Sequence, residues 1–195
     1  PDSVLSAMAT SISNNLQKVT SKAPVSVVLN GGERYLGVCG WDCNAWKVDP
    51  KVVAAKGDLS WGDYASQRKA HQEMFFTNAV RALTNAIYIY YPTGNQFNDR
   101  TFGWDWDYKY MNKVADYPGI SMYWGEFNTG WKGQGNYGML SQVLYAHGYD
   151  VKFGKPHSYN WVNAGWGVTK PDGWADIPRY YGFLKTYYTS GMLGG

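Results

Sequence analysis

The chain has 195 residues, of which 45% are hydrophobic and 17% charged, with a formal net charge of +3. This balance excludes a disordered chain and predicts one folded domain over residues 1–195. Lys and Arg are scattered, which argues against nucleic-acid binding, and no apolar run approaches the ~18 residues of a membrane span.

Helical and strand-like segments alternate along the chain. Helices are predicted over 3–20, about 65–84, about 106–116, about 137–147 and 176–190. Strands are predicted over 25–29, 86–91, 120–126 and 157–163. The segments that follow the strands are long and rich in Gly, Asn and aromatic residues, whereas the connections from helix to strand are mostly short.

Two of the helices have a clear apolar face, and Asp2 or Ser3 is a candidate cap for the first of them. The face of the first helix contains Val4, Leu5, Met8, Ile12, Leu16 and Val19. The face of the second contains Phe75, Phe76, Ala79, Val80 and Leu83. The long segment 34–64 between them is expected to contain one short element at 50–55.

The alternation of helix and strand is typical of an α/β protein with a parallel sheet and right-handed crossovers. Long segments after the strands are typical of a (β/α)8 barrel, in which they build the active site. A complete barrel takes ~250 residues, so the chain is expected to be a C-terminal half that begins at an outer helix. A small open doubly wound sheet is the alternative, although no Gly-x-Gly-x-x-Gly follows a strand.

Two glutamates follow short apolar strands. Glu33 ends the segment Val25-Ser-Val-Val-Leu-Asn-Gly-Gly-Glu33, and Glu126 lies in Ile120-Ser-Met-Tyr-Trp-Gly-Glu126-Phe-Asn128. A glycosidase needs two carboxyl groups, ~5–5.5 Å apart for retention of configuration or ~6.5–9.5 Å for inversion, and one must be protonated to assist the leaving oxygen. Strands of one barrel can hold two glutamates at such distances, so these are the candidate catalytic residues.

The motifs Leu29-Asn-Gly-Gly-Glu33 and Tyr123-Trp-Gly-Glu126-Phe-Asn128 resemble segments of retaining (β/α)8-barrel glycoside hydrolases of the clan A type, such as agarase- and porphyranase-like enzymes. In that family they correspond to the acid/base on the fourth strand and the nucleophile on the seventh. The resemblance implies endo-acting hydrolysis of a β-linked polysaccharide by double displacement. Glu33 would be the acid/base and Glu126 the nucleophile.

The chain departs from the family pattern in two places. Asn directly precedes the acid/base in the family, whereas Asn30 stands three residues before Glu33. One firm strand lies between the two glutamates where the family has two. Either residues 52–55 form a broken strand, or Glu126 follows the sixth strand and the correspondence is wrong in detail.

Aromatic and amide side chains near the strand ends are candidate sugar contacts, because flat rings stack on sugar C–H faces while amides bind hydroxyls. The resemblance implies that Trp161 floors the subsite next to the cleaved bond and that Tyr90 or Tyr91 steadies the nucleophile. His157 is a further candidate, with a structural strand histidine as the alternative. The substrate-binding predictions are Asn30, Tyr90, Trp124, Asn128, Trp131, His157 and Trp161.

Cys39 and Cys43 are spaced for a small loop disulfide, which the spacing alone does not establish, and no metal or cofactor is predicted. A polysaccharide or oligosaccharide partner and a secreted, extracellular location are expected. The chain starts at Pro1, which suggests a processed piece. Because half a barrel would leave two open sheet edges and an uncovered interior, the chain should associate with a complementary N-terminal half or with a second copy.

Two other classes of function stay open. A non-catalytic carbohydrate-binding protein, or an inactive relative of a glycosidase, would grip glycan with the aromatic loops. A structural or assembly protein would use the same aromatic surface for contacts between subunits. Neither nucleic acid nor a membrane is an expected partner.

Overall fold

The computed structural model describes residues 1–30, 44–90, 108–117, 121–122, 148, 151–155, 161–162, 181 and 185. The chain divides into two compact units, one formed by Pro1–Tyr91 with Asp99–Asp116 and the other by Pro92–Asn98 with Tyr117–Gly195. Helical and strand residues occur in both units, and the described strand pairs are parallel. The chain therefore belongs to the α/β class, as predicted.

The first unit alternates helices with two short strands. Its elements are α1 (Asp2–Thr20), β1 (Val27–Asn30), α2 (Asn44–Val48), α3 (Pro50–Lys56), α4 (Trp61–Arg81), β2 (Ile87–Tyr90) and α5 (Tyr108–Met111). The second unit contains β3 (Ser121–Met122) and β4 (Trp161–Val162). Residues 151–153 are helical, and so is Gly148, which directly follows the helix predicted over about 137–147. That predicted helix lies outside the described residues.

Helix α1 matches the predicted span, but its N-terminal cap differs from the prediction. Pro1 occupies the N-cap position and no side chain makes a capping hydrogen bond, so the assignment of Asp2 or Ser3 was wrong. Asp2 instead contacts α4, with 2.9 Å between its Oδ1 and His71 Nε2. This hydrogen bond holds the pKa of the exposed Asp2 carboxyl below its usual value.

Helix α4 begins at Trp61, four residues before the predicted start, because the preceding serine caps it. Ser60 Oγ accepts a hydrogen bond from the Asp63 N–H at 3.0 Å and donates one to Asp63 Oδ2 at 2.8 Å. The first of these bonds satisfies the Asp63 N–H, which the first helical turn leaves without an intrahelical partner, and the second orients the capping hydroxyl. The Ser-x-x-Asp spacing was a visible signal for this start.

Residues 50–55 do form a short element, and it is helical. Asp49 caps α3 by accepting hydrogen bonds from the N–H groups of Lys51 at 2.8 Å and Val52 at 3.3 Å. Pro50 follows the cap at the first helical position, where its fixed φ suits a helix and its missing N–H costs nothing. The broken strand considered for residues 52–55 is therefore wrong.

Strands β1 and β2 pair in parallel, with Val27 opposite Ile87 and Asn30 opposite Tyr90. A parallel pair requires a long crossover, which here contains α2, α3 and α4. On the edge of β2 that faces away from β1, Asp116 forms two hydrogen bonds with the backbone of Tyr88. The Tyr88 N–H donates to Asp116 Oδ2 at 2.6 Å, and the Asp116 N–H donates back to the Tyr88 carbonyl at 3.0 Å.

The apolar core of the first unit lies between this sheet and the helices α1 and α4. Its fully buried members are Phe76, Val80 and Tyr88. The partly buried residues packed against them are Leu5, Met8, Ala9, Ile12, Leu16, Val28 and Phe75. The helices thus cover the sheet face that bears Val28 and Tyr88.

The apolar helix faces are narrower than the sequence pattern predicts. Val4 and Val19 of α1 are each 52% exposed, and Leu83, which follows α4, is 36% exposed. Their assignment to the buried faces was therefore wrong. Val4 and Val19 lie near the two ends of α1, and Leu83 lies beyond the end of α4, so all three are at the ends of the predicted stripes.

In the second unit, β3 and β4 form a parallel pair with Ser121 opposite Trp161 and Met122 opposite Val162. Both strands fall inside the predicted strand segments, 120–126 and 157–163. Among the described residues they are shorter than predicted.

Candidate functional site: the carboxyl end of the first parallel pair

Three of the predicted site residues lie in the described part of the chain. Asn30 and Tyr90 are the last residues of β1 and β2 and stand opposite each other, while Trp161 begins β4. Six other predicted site residues lie outside the described residues: Glu33, Trp124, Glu126, Asn128, Trp131 and His157. Cys39 and Cys43 lie outside them as well. The roles assigned to all of them stay predictions.

The Asn30 side chain is bonded to a buried carboxylate on α4. Its Nδ2 donates hydrogen bonds to both oxygens of Glu73, at 3.1 Å to Oε1 and 2.9 Å to Oε2. Lys69 Nζ lies 2.8 Å from Oε1, and the Tyr88 hydroxyl donates to Oε2 at 2.5 Å. We call Asn30, Lys69, Glu73 and Tyr88 the Glu73 cluster.

Three members of the Glu73 cluster, Lys69, Glu73 and Tyr88, are almost completely removed from solvent, whereas Asn30 is partly exposed. The side chains of Lys69 and Glu73 are 4% and 0% exposed. An ionised carboxylate at such a depth is costly unless it is paired and hydrogen-bonded. Glu73 meets this condition, because one cation and two neutral donors surround its two oxygens. The carboxylate is thus held in one orientation and has no access to a substrate.

Tyr88 acts as a hydrogen-bond donor in this cluster and keeps its proton. Burial raises the pKa of its hydroxyl far above the usual value, and the negative charge of Glu73 and the hydrogen bond to Glu73 raise it further. The phenol therefore stays neutral throughout the range in which proteins are folded. It fixes the Glu73 carboxylate without adding a second negative charge.

Asn30 and Tyr90 lie on the same face of the sheet as the Glu73 cluster. Alternate residues of a strand point to the same face, so Asn30 shares the face of Val28, and Tyr90 shares that of Tyr88. This is the face covered by α1 and α4, and Tyr90 is only 3% exposed there. The opposite face of β1 bears Val27 and Leu29, which are 43% and 39% exposed.

Sequence reasoning missed Lys69 and Glu73 because charged residues were not counted in the apolar stripe of α4. The fully buried positions of this helix include Ala65, Lys69, Glu73, Phe76 and Val80, which recur at intervals of three and four residues. A Lys and a Glu spaced i, i+4 in the middle of such a stripe were the available signal.

Aromatic residues of the long segment before β2 pack on one another around the start of α4. Tyr64 is in edge-to-face contact with Trp46, at 5.8 Å between ring centroids, and with Trp61, at 6.3 Å. Lys56 Nζ lies 5.3 Å from the ring centre of Trp61. These aromatic residues therefore pack against one another within a long connection. Such packing is a structural role, in contrast to the sugar binding expected of loop aromatics.

No helix in the described ranges is long and apolar enough to cross a bilayer. Among the same residues, no three His, Cys, Asp or Glu side chains are grouped as metal ligands. Comparisons of the chain with protein-family models, with curated proteins and with solved structures gave no match.

Proposed function

We propose that the chain is the C-terminal half of a (β/α)8 barrel and hydrolyses a β-linked polysaccharide with Glu33 and Glu126. The observation that carries the proposal is the parallel, in-register pairing of β1 and β2, whose carboxyl ends meet at Asn30 and Tyr90. Glu33 stands three residues beyond Asn30 in the sequence. In parallel α/β folds, catalytic side chains come from this end of the strands.

The glutamate inventory supports the same pair of residues. The chain has three glutamates, Glu33, Glu73 and Glu126. Glu73 is buried and bonded within the Glu73 cluster, so Glu33 and Glu126 are the two glutamates that are left as candidates for catalysis. Glu126 stands four residues beyond Met122, the last residue of β3, which is again one strand of a parallel pair.

In the proposed reaction, the Glu126 carboxylate attacks the anomeric carbon while protonated Glu33 gives its proton to the departing glycosidic oxygen. Glu33 then removes a proton from water, which hydrolyses the glycosyl ester and regenerates Glu126. Residues 52–55 are helical and supply no strand between the two glutamates. With the broken strand excluded, Glu126 would follow the sixth strand, so the strand-by-strand correspondence to the family is wrong in detail and the assignment of Glu126 rests on its motif.

Glu33→Ala is expected to slow the cleavage of unactivated β-linked oligosaccharides about 10²–10⁴-fold, which is the usual contribution of a general acid or base. Aryl β-glycosides with good leaving groups should lose less in the first step, because they need no proton donor. Azide should restore part of the rate by replacing the water that Glu33 activates. The measurement is the initial rate on both substrate types with and without azide.

Equal losses on both substrate types with no azide rescue would contradict the acid/base role of Glu33. Saturable glycan binding by the parent chain with no turnover on any β-linked substrate would indicate a carbohydrate-binding protein instead. Exposed Asp58→Asn serves as the control, since it removes a carboxylate from the turn between α3 and α4, to which no catalytic or binding role is assigned.

We further propose that the 195-residue chain associates with a complementary half or a second copy through β1. The support is the exposure of Val27 and Leu29 on the strand face opposite the helices, since exposed apolar surface favours association with a partner. The purified chain should sediment heavier than its 22.0 kDa monomer. Val27→Ser/Leu29→Ser should weaken the association, whereas Leu83→Ser should not, and a monodisperse parent monomer would refute it.

A further inference from the structure

We propose that Glu73 is a positioning residue that anchors Asn30 and thereby fixes the backbone leading to the acid/base Glu33, a role that rests on the proposed function. Glu73 has no exposed side-chain surface, so it cannot touch a substrate. Any effect of Glu73 on catalysis must therefore pass through the groups that it holds. Of these, Asn30 is the one closest in sequence to Glu33.

The anchor is rigid on the helix side. Glu73 lies in the middle of the 21-residue helix α4, and its carboxylate is fixed from two other directions by Lys69 and by the Tyr88 hydroxyl. One turn further along, Thr77 Oγ1 donates to the Val114 carbonyl at 2.8 Å in a buried hydrogen bond. The helix position that carries Glu73 is thus tied to both β2 and the segment after α5.

On the strand side, the anchor acts at the last residue of β1. The Asn30 side-chain nitrogen is bonded to both Glu73 oxygens, which restrains the side chain and the Cα atom that bears it. Hydrogen bonds to a charged acceptor are the stronger kind. Only Gly31 and Gly32 separate Asn30 from Glu33 in the sequence, so fixing the end of β1 limits the positions that Glu33 can reach.

The anchor role differs from the substrate contact predicted for Asn30 from the sequence. The Asn30 nitrogen is engaged by Glu73 on the face that α1 and α4 cover. A substrate contact would make Asn30 important and Glu73 unimportant. An anchor makes both residues important to a similar degree, because deleting either one breaks the same link.

Hydrogen exchange tests the anchor without any assay of activity. In Asn30→Ala and in Glu73→Gln, amides of a peptide spanning residues 27–33 should exchange about tenfold faster than in the parent, because a charge-assisted hydrogen bond is lost or weakened. Asp2→Asn is the matched control, since it also converts a carboxylate that contacts α4 into an amide, and its exchange over 27–33 should match the parent. Unchanged exchange in both cluster variants would overturn the proposal.

Kinetics test the link to catalysis. Both single variants should lower kcat about 10²-fold, the scale expected for a small misplacement of a catalytic group, with KM within about twofold of the parent. The double variant Asn30→Ala/Glu73→Gln should be no slower than the slower single variant. A raised KM in Asn30→Ala alone, with Glu73→Gln fully active, would overturn the positioning role in favour of direct substrate contact.

A failure of the proposed function and a failure of the Glu73–Asn30 anchor give different results. A parent chain that turns over no β-linked substrate when assembled with its complementary half or second copy refutes the proposed hydrolase and with it the catalytic role of Glu73, while the exchange data still decide whether the anchor exists. If Glu73→Gln does not fold, Tyr88→Phe removes only the hydroxyl that orients Glu73, and Asn30→Ala alters a partly exposed position. Parent-like exchange and kcat in both of these variants would overturn the proposal.

Discussion

Glu126→Gln is expected to abolish turnover while glycan binding survives. The amide has nearly the shape of the carboxylate, so the substrate site is preserved, but it is a far weaker nucleophile towards the anomeric carbon. Loss of an essential nucleophile costs orders of magnitude in rate, here about 10⁴-fold or more. Initial rates on a β-linked oligosaccharide and calorimetric titration of the same ligand measure the two quantities separately.

The control for this experiment is again Asp58→Asn, an exposed carboxylate-to-amide change that should leave the rate within about twofold of the parent. A Glu126→Gln variant that keeps a rate within about tenfold of the parent would exclude Glu126 as the nucleophile. A variant that loses binding and turnover together would instead assign Glu126 to substrate recognition or to structure.

The positions of the main elements could be predicted because burial leaves a periodic trace in the sequence. The stripes that contain Leu5, Met8 and Ile12 in α1 and Phe76 and Val80 in α4 coincide with the core. The pattern wrongly assigned Leu83 to the buried face, because the hydropathy of a residue does not show where a helix ends. Local capping chemistry, as at Ser60, determined the true start of α4.

The candidate site was predictable in part. A strand-end motif correctly placed Asn30 at the carboxyl end of a parallel strand, but nothing in the motif indicated its partner on α4. Glu73 lies 43 residues further along the chain, and the link between them depends on how α4 packs on the sheet. Motif reasoning finds residues near in sequence, whereas a buried polar cluster is assembled by tertiary contacts.

The buried ion pair gives the largest expected effect on stability. Lys69→Met leaves the Glu73 carboxylate in the core without its cation, and breaking a buried pair in this way costs about 3–5 kcal/mol of unfolding free energy. The contrasting variant is Arg81→Met, which breaks an ion pair of the same helix with Asp116. The Arg81 and Asp116 side chains are 46% and 33% exposed, so this pair should contribute less than about 1 kcal/mol. Urea unfolding of both variants measures the difference.

A compensating change on Glu73 separates the loss of the ion pair from the loss of methylene packing. Lys69→Met/Glu73→Gln removes both charges, and the carbonyl oxygen of the introduced amide can still accept a hydrogen bond from the Tyr88 hydroxyl. The double variant should therefore be more stable than Lys69→Met alone, by about 1–3 kcal/mol, even though it carries one more substitution. If the double variant is the less stable of the two, an unpaired buried charge is not what destabilises Lys69→Met. The Glu73 cluster would then act mainly through the hydrogen bonds that Glu73 accepts from Asn30 and Tyr88.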